Sequence, residues 1–96
     1  MTVRRLVIDI LIPHTPSEID YVERVSELEG VEGATLHVME VDEQTKTAEM
    51  TIEGESILFN DVKTIIEELG GAIHSIDLVS SGSKMVKSKA LNGSKG

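Results

Sequence analysis

The sequence predicts an α+β sandwich built in the order β-α-β-β-α-β. Three observations predict it. The chain has 96 residues, which is one domain's length. Its apolar periodicity changes from strand to helix spacing twice along the chain. And the segment Leu28-Glu29-Gly30-Val31-Glu32-Gly33-Ala34 is echoed by Glu68-Leu69-Gly70-Gly71-Ala72, which divides the chain into two similar halves.

Residues 3–12 are rich in Val, Ile and Leu and read as a buried first strand. Pro13-His14-Thr15-Pro16 follows. Thr15 and Glu18 fit a capping box with Pro16 at the first helical position, where a missing N–H is harmless. Ile19, Val22, Val25 and Leu28 keep helical spacing and Gly30 suits the residue after the helix, so the first helix is expected over 16–29. Ala34, Leu36 and Val38 alternate with Thr35, His37 and Met39 as a second strand, and Asp42-Glu43-Gln44-Thr45 is a polar turn. Ala48, Met50 and Ile52 alternate with Glu49, Thr51 and Glu53 as a third strand, which Gly54 is expected to end. Phe59, Val62, Ile65, Ile66 and Leu69 form a second helical stripe closed by Gly70-Gly71, and the last strand is expected over 72–80.

Right-handed crossovers in both halves turn this order into a ferredoxin-like sandwich. Its four antiparallel strands take the order 4-1-3-2, with both helices on one face. The domain is expected to cover 1–86, and the Ser/Gly/Lys-rich residues 87–96 to form a flexible basic tail that cannot bury enough apolar area to order itself.

Several stretches together resemble a known family: Leu6 to Leu11 with Pro13-His14 and Pro16; Ser26 to Gly33; Ile66-Glu67 with Gly70-Gly71; and Ile73 to Asp77 with Gly82. The chain is similar to the small archaeal proteins of domain-of-unknown-function family two hundred and eleven, over residues 4 to 86. The resemblance implies a ferredoxin-like fold, ring-like homo-oligomers and no assigned activity. The chain departs from the family pattern at Leu58, where an acid is frequent, and in its basic tail.

Charge is unevenly placed. Residues 1–82 hold all seventeen acids and five of the nine bases, a balance of -12. From Ser83 onward there are four Lys and no acid, which brings the chain to -8. An acidic chain with no Trp, one Tyr and one Phe lacks the basic surface and stacking rings that nucleic acid needs. The opening MTVRRLVIDILI holds Asp9 and stops at Pro13, too short and polar a run for export or a membrane span. With no Cys there is no disulfide, thiolate metal site or thiol nucleophile, and the expected location is the cytoplasm.

Helices on one side leave the sheet's other side open. Two-fold alternation assigns Leu6, Ile8, Ile10, Ile12, Leu36, Val38, Ala48, Met50, Ile52, Ile76 and Leu78 to the helix side. It leaves Val7, Leu11, Met39, Val41, Ile73 and Val79 on the open face, beside Asp9, His37, Glu49 and Asp77. Monomers rarely expose contiguous apolar patches of more than a few hundred Å². Those six apolar residues are therefore the expected interface of a homo-oligomer.

If the first and fourth strands pair with 12–14 near 72–74, Asp9 faces Asp77 across the open face. Opposed like charges destabilise a sheet, and an arginine or a bound cation would offset them. Asp9 and Asp77 are thus candidate ligands for a hard divalent ion, calcium or magnesium. The same register brings His14 towards His74, a weaker candidate pair for a transition metal. The more ordinary roles are His14 capping loop backbone and His74 hydrogen-bonded at the rim of the core.

Several chemistries found on this fold leave marks that are absent. There is no CxxC after the first strand, no aromatic residue on the first or third strand for stacking bases, and no phosphate-holding arginine in the first loop. Walker, GxGxxG and GxSxG motifs are missing too. The only acid–base groups to consider are His14, His74 and Asp77. The sequence points to a non-enzymatic, self-assembling domain that joins copies through its open sheet face and edges. The alternative is a ligand- or divalent-cation-responsive regulatory domain binding between subunits. Neither nucleic acid nor membrane is expected as a partner.

Overall fold

The computed structural model describes residues 2–87. The elements run β1 (Val3–Pro13), α1 (Glu18–Ser26), β2 (Val31–Val41), β3 (Thr45–Ile57), α2 (Phe59–Glu68) and β4 (Ala72–Ser81). The sheet order is β2-β3-β1-β4, the expected order read from the other edge, and every pairing is antiparallel. The fold is ferredoxin-like.

The core follows from the two central strands. Leu6, Ile8, Ile10 and Ile12 of β1 and Ala48, Met50 and Ile52 of β3 are all buried. They meet Tyr21 and Val25 of α1 and Val62, Ile65 and Ile66 of α2 in one cluster. Each such aliphatic side chain contributes roughly 1.5–3 kcal/mol by leaving water. The strict alternation on these strands exists because one side meets helices and the other does not. The outer strands contribute no fully buried hydrophobic side chain and stand at the margin of the helices' cover.

α1 is shorter than its sequence spacing suggests. Ser17, in an extended conformation, is its N-cap, and the Asp20 carboxylate accepts the Ser17 N–H at 3.0 Å. The expected Thr15–Glu18 box does not form because Glu18 has another partner: Lys46 of β3 donates to its carboxylate at 2.8 Å. α2 ends as expected. Gly70, at φ +92, donates to the Glu67 carbonyl at 3.0 Å, and Gly71 donates to the Ile66 carbonyl at 2.8 Å. That pair of bonds is a Schellman motif. The two helices are tied by the Tyr21 hydroxyl, which donates to the Leu69 carbonyl at 2.8 Å. Burial holds this phenol above its ordinary pKa.

Gly54 does not end the third strand. β3 continues to Ile57, and Gly54 sits buried against the Gly30–Glu32 backbone. It is a close-approach glycine, because a Cβ there would strike main-chain atoms. Lys87 is the only tail residue within the described part of the chain; residues 88–96 of the expected tail lie outside it.

Candidate functional site on the open face and edges of the sheet

β1 and β3 position the centre of the open face. Their register sets Arg5 opposite Glu53, Val7 opposite Thr51, Asp9 opposite Glu49 and Leu11 opposite Thr47. The Arg5 guanidinium pairs with Glu53, its Nε donating at 2.8 Å. β2 extends the row, with His37 opposite Glu49 and Thr35 opposite Thr51. A lateral line Asp9–Glu49–His37 therefore crosses three strands. The like-charged neighbour of Asp9 is Glu49.

Asp77 does not face Asp9. β4 pairs with β1 as Leu6 to Val79, Val7 to Leu78, Ile8 to Ile76, Asp9 to Ser75, Ile10 to Ile73 and Leu11 to Ala72. The register jumps three times, and two of the jumps leave Asp77 and His74 of β4 as extra residues at bulges. Asp77 reaches back along its own strand, where the Ser75 hydroxyl donates to its carboxylate at 2.8 Å.

The bulges also move apolar side chains between faces. Residues paired directly across an antiparallel sheet share a face. Ile73, Ile76 and Val79, three apart, all pair with helix-side residues of β1, and Ile73 packs against the core. Leu78 pairs with Val7 and belongs to the open face. On β2 a jump between Val38 and Glu40 makes Met39 the extra residue and pairs Val41 with Lys46. Lys46 is on the helix side, as its bond to Glu18 shows. Of the six residues expected on the open face, Val7 and Leu11 lie there. Met39 sits at a bulge, and Val41, Ile73 and Val79 pair with the helix side.

The histidines separate. His14 Nε2 lies 2.8 Å from the Asp42 carbonyl oxygen, so His14 holds the β2–β3 turn. His74 is exposed rather than set at the core rim. It lines a shallow depression of about 310 Å³ with Asp9, Leu11 and Thr47. Among the described residues, no three His, Asp or Glu side chains gather as a metal-holding group. What the face offers a cation is the opposed Asp9–Glu49 pair, with His74 and His37 on either flank.

The edges are apolar. Exposure is 59% at Met39 and 60% at Val41 on β2, and 51% at Ile76 and 57% at Val79 on β4. β2 and β4 stand at opposite ends of the strand order, and each lacks a neighbour on one side within the chain.

Residues 4–94 match the family DUF211, described as uncharacterized ArCR. The chain belongs to this family. A relative, Uncharacterized protein MJ0319 of Methanocaldococcus jannaschii, is 41% identical over 85 residues, which is 88% of each chain. The family match spans the open face and both edge strands.

Glu49 and His37 are what sequence reasoning missed as partners of Asp9. The available signal was their position: both were already assigned to the open face, and the middle strands of a 4-1-3-2 sheet must neighbour each other. No helix among the described residues is long and apolar enough to cross a membrane.

Proposed function

We propose that this chain is a non-catalytic, self-assembling domain whose copies join through the edges and open face of the sheet into a closed homo-oligomer. The observation that carries this reading is the pair of unpartnered edges, each bearing exposed large apolar side chains: Met39 and Val41 on β2, Ile76 and Val79 on β4. These are different surfaces at opposite ends of the sheet. A contact between one copy's β2 and the next copy's β4 is therefore heterologous, and a heterologous contact closes into a ring when its rotation divides a full turn. Bulges on both edge strands disfavour a continuous backbone ladder between copies. Side-chain packing is the better-supported mode. Val7, Leu11 and Leu78 add apolar area on the open face.

Size-exclusion chromatography with light scattering tests this. A mass several times the 10.4 kDa chain is expected at micromolar concentration. Val79→Lys and Met39→Glu, on the two different edges, are each expected to lower it. A mass near that of one chain would overturn the reading.

A second reading, a divalent-cation- or ligand-responsive regulator, is supported by the opposed Asp9 and Glu49 carboxylates. A cation between them would relieve a repulsion already built into the sheet. Thermal-shift measurements with calcium, magnesium, amino acids and nucleotides separate the two readings. A specific rise in melting temperature favours the regulator, and uniform silence favours the scaffold.

A further inference from the structure

We infer that neighbouring copies meet displaced along their strands by four residues, so that Val41 and Met39 of one copy's β2 seat on Ile76 and Val79 of the next copy's β4. This rests on the assembly reading above and specifies the contact within it. Direction comes first. β2 runs parallel to β1 within the sheet, and β4 runs antiparallel to it. Copies set side by side in one orientation therefore bring β4 of one against β2 of the next, antiparallel, with their helices on the same side. The charges suit this pairing of unlike edges. β2 carries Glu32 and Glu40, with Asp42 and Glu43 just beyond it, and none of the four is in an ion pair among the described residues. β4 leads instead into Lys84 and Lys87, exposed and likewise unpaired among those residues. Running antiparallel, that segment passes Glu32 at the start of the next copy's β2. Two β2 edges together would oppose acid to acid, and like-charge juxtaposition suppresses a wrong partner.

The register follows from where the exposed apolar side chains stand. Val41 pairs with Lys46, which pairs in turn with Ile12 of β1. Met39 lies between the rows of Ile10 and Leu11. Ile76 stands in the row of Ile8, and Val79 in the row of Leu6. The β2 patch is thus at the β2–β3 hairpin end of the sheet, and the β4 patch is four residues lower. Edges set flush, row to row, would put Ile76 beside Leu36 and Val79 beside Ala34, and would leave Met39 and Val41 in water. A displacement of four residues, about 13 Å, covers all four exposed side chains at once. Val41, Ile76 and Val79 are on the helix side, so the contact lies in that layer. Ile19, 64% exposed at the start of α1, stands over the same end, where Lys46 holds Glu18. The displacement also governs closure. With strands parallel to the rotation axis each copy would climb by the same distance, and the contact would build an open filament. Closure needs tilted strands. The outer strands of a four-stranded sheet are about 14 Å apart and a side-chain contact adds about 10 Å, so the tilt is about 30°.

Disulfide trapping tests this on a clean background, because the chain has no Cys. A disulfide needs α-carbons within about 7 Å, half the displacement, so it separates the two registers. The full-length double variant Met39→Cys/Val79→Cys, treated with a mild oxidant, should run on a non-reducing gel as a ladder of linked chains. Its top band should match the mass that light scattering gives for the reduced protein. Met39→Cys alone and Val79→Cys alone should each run as a single chain, since unlike edges meet. Ala34→Cys/Val79→Cys, the flush pair, should give no ladder. A ladder from the flush pair, or dimers from either single variant, would overturn the displaced contact while leaving assembly itself intact. So would the absence of a ladder from Met39→Cys/Val79→Cys in protein that light scattering shows to be assembled. A wild-type mass near 10.4 kDa would instead overturn the assembly reading on which the contact rests.

Discussion

Gly54→Ala is expected to be among the most damaging single-methyl changes this fold can suffer. Gly54 lies in β3 with its α-carbon turned to the loop that leads from α1 into β2. A Cβ built there would sit 2.8 Å from the Val31 Cα and 2.9 Å from the Glu32 nitrogen, and closer still to the Gly30 carbonyl oxygen. All three are main-chain atoms, so no rotamer change relieves the clash. The loop must lift away from β3, and the bond from the Ser56 N–H to the Gly30 carbonyl, 3.2 Å long, is lost with it. Overpacking costs roughly 1–3 kcal/mol, and a lost hydrogen bond about 1 kcal/mol more. The stiffer unfolded chain of an Ala variant returns about 0.4–1 kcal/mol. The net expectation is a loss of about 2–3 kcal/mol, or a fall in melting temperature of roughly 10–20 °C for a domain of this size. Circular dichroism melts and urea unfolding should be run at one fixed chain concentration, because assembly shifts both by mass action. Gly33→Ala is the control, since a Cβ at Gly33 meets nothing within 4 Å. A Gly54→Ala loss below about 1 kcal/mol, or one equal to that of Gly33→Ala, would refute the close-approach argument.

Other substitutions test separate parts of the structure. Tyr21→Phe removes the hydroxyl that ties α1 to the Leu69 carbonyl and is expected to cost about 1 kcal/mol in urea unfolding. The Lys46 ammonium beside Glu18 holds that carboxyl below the usual carboxylate range. Its stabilisation is therefore present above the unfolded-state pKa of Glu and fades as pH falls through the lower folded value. Lys46→Met should be less stable than the wild type at neutral pH, with the gap closing in acid; a gap independent of pH would contradict the pairing. Asp9→Asn should relieve the repulsion with Glu49 and raise stability by up to about 1 kcal/mol in the absence of divalent ions. Under the regulator reading, the same change should abolish any rise in melting temperature that calcium or magnesium gives the wild type.

The sequence made the central strands legible for a physical reason. β1 and β3 meet helices on one side only, so burial imposes a two-residue period that bulges do not interrupt between Leu6 and Ile12 or between Ala48 and Ile52. The outer strands have no such enforcement. β4 reads as alternating only until the unpaired His74 and Asp77 shift its phase, so that Ile73 and Val79 join Ile76 on the helix side, which strict alternation denies to those two. A bulge leaves no compositional mark as plain as a turn glycine, so the displaced Asp77 could not be foreseen from its neighbours. The start of α1 was misjudged for a different reason. Two capping boxes overlap, and the choice between them is made by Lys46, 28 residues from Glu18. Local pattern cannot see a competitor so distant. Gly54 looked like a strand end because glycine usually weakens strands. Its role depends on the Gly30 loop folding against it. The candidate site was legible as a face, through Asp9, Val7 and Leu11, but its lateral Asp9–Glu49–His37 row required the register.

The confinement of full burial to β1, β3 and the helices has a consequence for how the molecule opens. Amide hydrogens of β1 and β3 are bonded on both sides and shielded by the core, so they should exchange with solvent only on global unfolding. Those of β2 and β4 belong to strands held from one side, and should exchange through cheaper, local separation. In a closed assembly the neighbouring copy would lie against these same strands. Slow exchange at Met39–Val41 and Ile76–Val79 that quickens on dilution would then record, amide by amide, which edge a neighbour had been covering.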